Sequence, residues 1–214
     1  MHAARLGLIA AAFAGLPPMA LHAQAVMDTA PARSFEHAAR AHTTVKLTGR
    51  YDPWFRKYTK RYFGVGFDWR LIKAQAVAES DLNPHARSAV GARGLMQVMP
   101  ATFNLIQSSR SSLTSIDAPE SNIAAGIVYD RDLWRRWEPV VSVDECPWFT
   151  FGSYNAGDGT IARAVGIARA SKLDHTRWEN IARVAPTVPR WRYRETVGYV
   201  RKIEATYAEL RRQP

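Results

Sequence analysis

Apolar residues recur at helical spacing in one segment after another of this chain, and no segment shows the strict alternation of a half-buried strand. Helix-start signals precede most of them. Pro53 suits the opening of a helix over 51–63, Asp68 is a good N-cap for the next, and Pro100 reads as the first residue of a helix carrying Phe103 and Ile106. A long helix is expected over 119–137, with Ile123, Ile127, Trp134 and Trp137 on one side and Asp130, Arg131, Arg135 and Arg136 largely on the other. Residues 147–155 carry Trp148, Phe149, Phe151 and Tyr154, and Thr160 is placed to cap a helix running to about Ser171. A short helix over 178–184 and a last one over 193–212, striped by Val197, Val200, Ile203, Tyr207 and Leu210, complete the chain. Gly64 to Gly66, Asn83-Pro84, Gly157-Asp158-Gly159, Pro186 and Pro189 punctuate the segments. The expectation is a mainly α, single globular domain over 51–214, and 214 residues suffice for a real core. The aromatic stripe Trp54, Tyr58, Tyr62 is assigned to that core.

The first 25 residues read differently. Arg5 precedes an apolar run from Leu6 to Leu21, broken by Gly15 and Pro17-Pro18, and Ala23-Gln24-Ala25 supplies small residues at signal-peptidase spacing. Residues 1–25 are read as a cleavable signal peptide, with a retained anchor as the alternative, and 26–50 as an arm or linker without sustained periodicity. Export to the periplasm or beyond follows. The single cysteine, Cys146, forms no internal disulfide and is read as a small hydrophobe beside Pro147 and Trp148. The six histidines show no ligand spacing, so no metal and no cofactor is expected. A formal charge of +10 suits a polyanionic partner. For an exported protein that partner is an anionic envelope polymer such as peptidoglycan, not nucleic acid.

Glu79 breaks the pattern. It follows Ile72 and Ala76 on one helix face, yet Asn83-Pro84 ends the helix within about a turn. Burial and the negative end of the helix dipole both raise its pKa above the reference of about 4.3, toward a carboxyl still protonated near neutrality. Such a group is a candidate general acid. In the following Gly91-Ala92-Arg93-Gly94-Leu95-Met96-Gln97-Val98-Met99-Pro100, two glycines bracket a turn, and a short apolar helix carrying Gln97 is expected after it.

Glu79-Ser80, Asn83-Pro84-x-Ala86-x-Ser88-x-x-Gly91-Ala92-x-Gly94-Leu95-Met96-Gln97-x-Met99-Pro100-x-Thr102 resembles the signature of the soluble lytic transglycosylase (SLT) family, relatives of goose-type lysozyme. Asn122-Ile123-x-x-Gly126-x-x-Tyr129, Tyr154-Asn155-Ala156-Gly157 and Glu195-Thr196-x-x-Tyr199-Val200 follow in the family's order. The resemblance implies a lysozyme-like fold, with Glu79 as catalytic acid. It implies that Ser88 lies near the acid or the substrate, unless it is a turn serine, and that Met96 and Gln97 line the sugar groove. Tyr154 would bring its hydroxyl toward the acid, Asn155 would order the site, Asn122 would order its helix beside it, and Glu195 would stand in the groove wall. Ala89-Val90, Asp158 and Val197 depart from the family pattern and bear on substrate preference.

The implied reaction cleaves the β-1,4 bond between N-acetylmuramic acid and N-acetylglucosamine, with the muramic 6-hydroxyl as internal nucleophile and a 1,6-anhydro product. The competing readings are a goose-type hydrolase on the same bond, a non-catalytic wall-binding protein and a basic helical nucleic-acid binder. A compact enzyme without a wall-binding module also fits service to a transenvelope secretion or conjugation machine. Oligomeric state is not legible from the chain.

Overall fold

A computed structural model describes residues 49–213; the expected signal peptide and, but for Gly49 and Arg50, the arm lie outside the described residues. A short 3-10 turn, Gly49–Tyr51, leads into eight α-helices in this stretch: α1 (Asp52–Phe63), α2 (Trp69–Ser80), α3 (Pro100–Ser108), α4 (Pro119–Trp137), α5 (Cys146–Ala156), α6 (Asp158–Ala170), α7 (Trp178–Val184) and α8 (Tyr193–Arg212). Among the described residues there is no sheet, only isolated bridges at Arg87 with Arg93 and Arg93 with Val98. None of these helices is long and apolar enough to cross a membrane. The expected mainly α architecture holds.

Local chemistry explains the boundaries. Asp68 accepts the backbone N–H of Arg70 at 3.0 Å and so caps α2, while prolines stand in the first turns of α1, α3, α4 and α5. α6 begins two residues before the expected cap at Thr160, because Gly157 at φ 83° turns the chain straight from α5 into α6. The segment 91–99 forms no helix, contrary to expectation. It is a tight loop closed by paired backbone bonds between Arg93 and Val98, both 3.0 Å.

α2 packs on α1 and α8, α4 on α1, α3 and α5, and α5 also on α6 and α8. Phe55, Ile72, Ile123, Ile127, Phe149, Phe151, Ile161 and Ile203 are fully buried between them. Of the stripe assigned to the core, Tyr58 is buried and Trp54 and Tyr62 pack partly buried against it, while Phe55 is the deepest aromatic of α1. A buried Lys73 meets Asp52 at 2.6 Å and ties α2 to α1. Asp130 is a larger correction. Assigned to the polar side of α4, it is completely buried, because α1, α3 and α5 cover that helix on more than one face.

Candidate active site

The end of α2 is shaped by the chain leaving it. Asp81 and Leu82 both adopt left-handed backbone, φ 50° and 61°, and Leu82 is buried, so the chain turns sharply inward one residue beyond Ser80. Ser80 Oγ reaches the carbonyl of Leu95 at 2.9 Å, holding the 91–99 loop against the helix end. Lys202 of α8 donates to the carbonyl of Val77 at 3.3 Å and pairs with Asp81 at 3.2 Å. A cation there offsets the negative end of α2.

The 91–99 loop cannot be helical because Gly94 and Gln97 take φ 75° and 44°. Asn122, buried at the start of α4, supplies the bonds a helix would have made. Its Oδ1 accepts the N–H of Met96 at 2.8 Å, and its Nδ2 donates to the carbonyls of Arg93 and Ile116 at 2.9 Å each. A Cβ on Gly94 would stand 2.5 Å from the Asn122 amide, so glycine is required twice over, by space and by backbone angle. The expectation that Asn122 orders its surroundings has this concrete form.

Glu79 projects beside these elements, partly covered, with its Oε1 accepting the hydroxyl of Tyr199 at 2.6 Å. Burial pushes its carboxyl up to about 7 against the opposing pull of the Tyr199 hydrogen bond and of Lys202, with the charge of Glu195 adding to the rise. Tyr199 itself is held well above the ordinary tyrosine range by burial and by Glu79, so it is a neutral donor. The pair is suited to giving and retaking one proton near neutral pH.

Tyr199→Phe removes one of the influences that lower the pKa of Glu79 and also frees its rotamer. The expected result is a fall in kcat of about tenfold or more, with the alkaline limb of the pH–rate profile moved to higher pH. A profile unmoved on that side would mean that the 2.6 Å bond does not act on the acid.

The residues named from the sequence fare differently. The Tyr154 hydroxyl donates to the carbonyl of Met96 at 2.7 Å, so it is Tyr199 and not Tyr154 that bonds the acid; Tyr154 instead braces the loop beside it. Met96 does not line an open groove: its side chain is fully buried against Gly126, where a Cβ would approach the Met96 Cβ to 2.7 Å. Gln97 spends Nε2 on the carbonyls of Gly94 and Ala86, at 3.0 and 3.2 Å, and its Oε1 has no partner among the described residues. Ser88 Oγ accepts the N–H of Ala92 at 2.9 Å, the role of a turn serine. Asn155 Oδ1 accepts from Thr196 at 2.8 Å, and Thr196 accepts from the indole of Trp191 at 2.9 Å, which joins α5 to α8. Glu195 is exposed and paired with Arg192 at 3.1 Å.

Tyr199 lies within the last of the sequence motifs, which by itself assigns it no role. The signal that could have found it is spacing: four residues after Glu195 on one helix, it shares that residue's face.

A family model described as the transglycosylase SLT domain matches residues 54–176, more than half of the chain. This chain belongs to the SLT family. The SLT match ends before α8, although α8 supplies Tyr199. A relative, membrane-bound lytic murein transglycosylase F of Vibrio cholerae, is 33% identical over 159 residues, 73% of this chain and 28% of that protein. Among solved structures, the 70 kDa soluble lytic transglycosylase of Escherichia coli matches with a TM-score of 0.60 and 26% identity over 78% of this chain and 25% of that one. A 70 kDa soluble lytic transglycosylase in complex with bulgecin A matches at TM-score 0.55 and 25% identity, covering 77% of this chain and 24% of that one. The chain therefore spans under a third of the length of these SLT relatives.

Proposed function

We propose that this SLT domain is a lytic transglycosylase of peptidoglycan, cleaving the β-1,4 bond between N-acetylmuramic acid and N-acetylglucosamine. The observation that carries the reading is Glu79, a carboxyl pushed to about 7 and gripped by Tyr199 at 2.6 Å, in a chain of this family. Glu79 gives its proton to the glycosidic oxygen as the bond to the muramic C1 breaks, leaving the 4-hydroxyl of N-acetylglucosamine. The muramic O6 then bonds to C1, and its proton passes to the Glu79 carboxylate, so the acid is restored and no water is consumed.

Support for an internal nucleophile comes from the neighbouring carboxylates, which are engaged: Asp81 with Lys202, and Glu195 with Arg192. The sugar-facing polar groups in this reading are Gln97 Oε1 and the amide nitrogen of Asn155, whose other amide atoms are committed within the protein. Met96 contributes through its backbone, and Ser88 through the turn that shapes the loop. The family's acting on the wall, the charge of +10 and the N-terminal segment support an exported, periplasmic protein whose partner is the glycan strand.

Mass spectrometry of purified peptidoglycan digested with residues 26–214 tests the reaction. Anhydro-muropeptides, one water lighter than their hydrolysed counterparts, are the expected product, and bulgecin A is expected to suppress them. Reducing-end products would identify a goose-type hydrolase, and absence of any product a wall-binding role. Service to a transenvelope secretion or conjugation complex is the further partner class we propose, on the arm expected at 26–50. Normal transfer after loss of the protein would end that proposal.

A further inference from the structure

One full turn before Glu79 on α2 stands Gln75, completely buried, and facing it from α4 is Asp130, also completely buried. Gln75 Nε2 donates to Asp130 Oδ1 at 3.0 Å. The other oxygen of each side chain, Gln75 Oε1 and Asp130 Oδ2, is buried and lacks any hydrogen-bond partner. Two acceptors orphaned on the same facing pair share one remedy. A proton on Oδ2 supplies the missing donor, and an amide and a carboxylic acid then satisfy each other through two parallel bonds.

We propose that Asp130 is a carboxylic acid in the folded protein and closes a two-bond ring with the Gln75 amide, Nε2–H to Oδ1 and Oδ2–H to Oε1, making Asp130 a positioning residue that pins α2 to α4 one turn below Glu79. The surroundings favour the neutral acid. The titratable groups whose charges act on Asp130 or feel it are Glu79 of α2, Tyr129 of α4, Tyr154 of α5 and Tyr199 of α8, and none is a cation. Burial accordingly drives Asp130 far above the usual carboxylate range. An ionised Asp130 would place a second negative charge under the catalytic carboxyl and leave Oδ2 bare in a dry interior. The ring therefore keeps the floor of the site both rigid and neutral.

Infrared difference spectra between wild type and Asp130→Asn read the proton directly. The expected result is a protonated-carboxyl C=O band, present at pH 7, unchanged to pH 8 and missing from the variant. An asparagine side chain at this position can form the same two bonds, its amide N–H replacing the Oδ2–H donor. Asp130→Asn is therefore expected to keep the wild-type Tm and kcat to within about twofold, whereas Asp130→Ala lowers kcat by about tenfold at unchanged KM, because the acid is displaced while sugar contacts remain. No band at pH 7, or an Asp130→Asn protein as impaired as Asp130→Ala, overturns the proposal. The kinetic arm rests on the proposed function; the infrared band and the Tm values do not, so a protein that cleaves nothing would still decide the pairing.

Discussion

Glu79→Gln is expected to abolish cleavage while making the protein more stable above neutral pH. The loss of activity is the larger effect. A general acid contributes roughly 10²–10⁴ in rate, and in the proposed reaction the same carboxyl acts twice, as donor and then as acceptor, so a fall of at least about 10³-fold is expected. Glutamine keeps the Oε1 that accepts the Tyr199 hydroxyl, so the site geometry survives the change. The stability gain follows from linkage. Folding lifts Glu79 from the ordinary glutamate range to about 7, so between these values the folded state holds more protons than the unfolded one. Stability therefore declines as pH rises through that window, is undiminished below about 4, and is lowered by about 3 kcal/mol above about 7. Glutamine carries no such penalty. At pH 8 its Tm should exceed that of wild type by roughly 2–4 °C per kcal/mol, and at pH 4 the two should coincide. An equal Tm at pH 8, measured with scanning calorimetry, would contradict the acidity assigned to Glu79.

Asn122→Ala should be the most damaging change away from the acid. It removes three hydrogen bonds at once, one buried and two partly buried, and leaves the N–H of Met96 and the carbonyl of Ile116 without a partner, while the carbonyl of Arg93 keeps the N–H of Val98. At about 1–3 kcal/mol for each of the two groups left unmatched, less whatever water recovers, a loss of about 2–4 kcal/mol is expected from denaturant unfolding. The effect on function is separable. The Met96 carbonyl accepts Tyr154, and the Leu95 carbonyl holds Ser80 next to Glu79, so a loosened 91–99 loop disturbs the acid's neighbours. At temperatures where the variant stays folded, kcat should still fall by about tenfold or more. A loss below about 1 kcal/mol would show that Asn122 is not the loop's keystone.

The helices were legible because their signals are local. α4, α7 and α8 run between the residues that periodicity, prolines and caps indicated, and Asp68 caps α2 as its position suggested. The 91–99 loop was not, because a few apolar residues in a row fit a short helix as well as a tight turn. What decides against the helix is Asn122, more than twenty residues away, which no local window contains. The same limit explains Asp130. It sits next to Arg131 and a turn before Arg135 and Arg136, and the packing of α1, α3 and α5 around that helix places it inside. Glu79 was visible as a conflict between residue type and helix face. Its partner was not: the family motif pointed to Tyr154, and that the Tyr199 hydroxyl reaches the acid instead is set by how α5 and α8 pack around α2.

The bond between Glu79 and Tyr199 joins residues 120 positions apart. The hydrogen bond that holds Glu79 therefore forms only once α8 has docked. In a polypeptide emerging N-terminus first, with α2 through α7 already assembled, Glu79 lacks the Tyr199 hydroxyl and the charge of Lys202, and only docking of α8 supplies them. Contacts of such long range close slowly. In a stopped-flow refolding experiment, sugar-cleaving activity should lag behind the far-ultraviolet helical signal; simultaneous recovery would show that α8 docks early. A domain wired in this way completes the surroundings of its candidate acid only once α8 is in place.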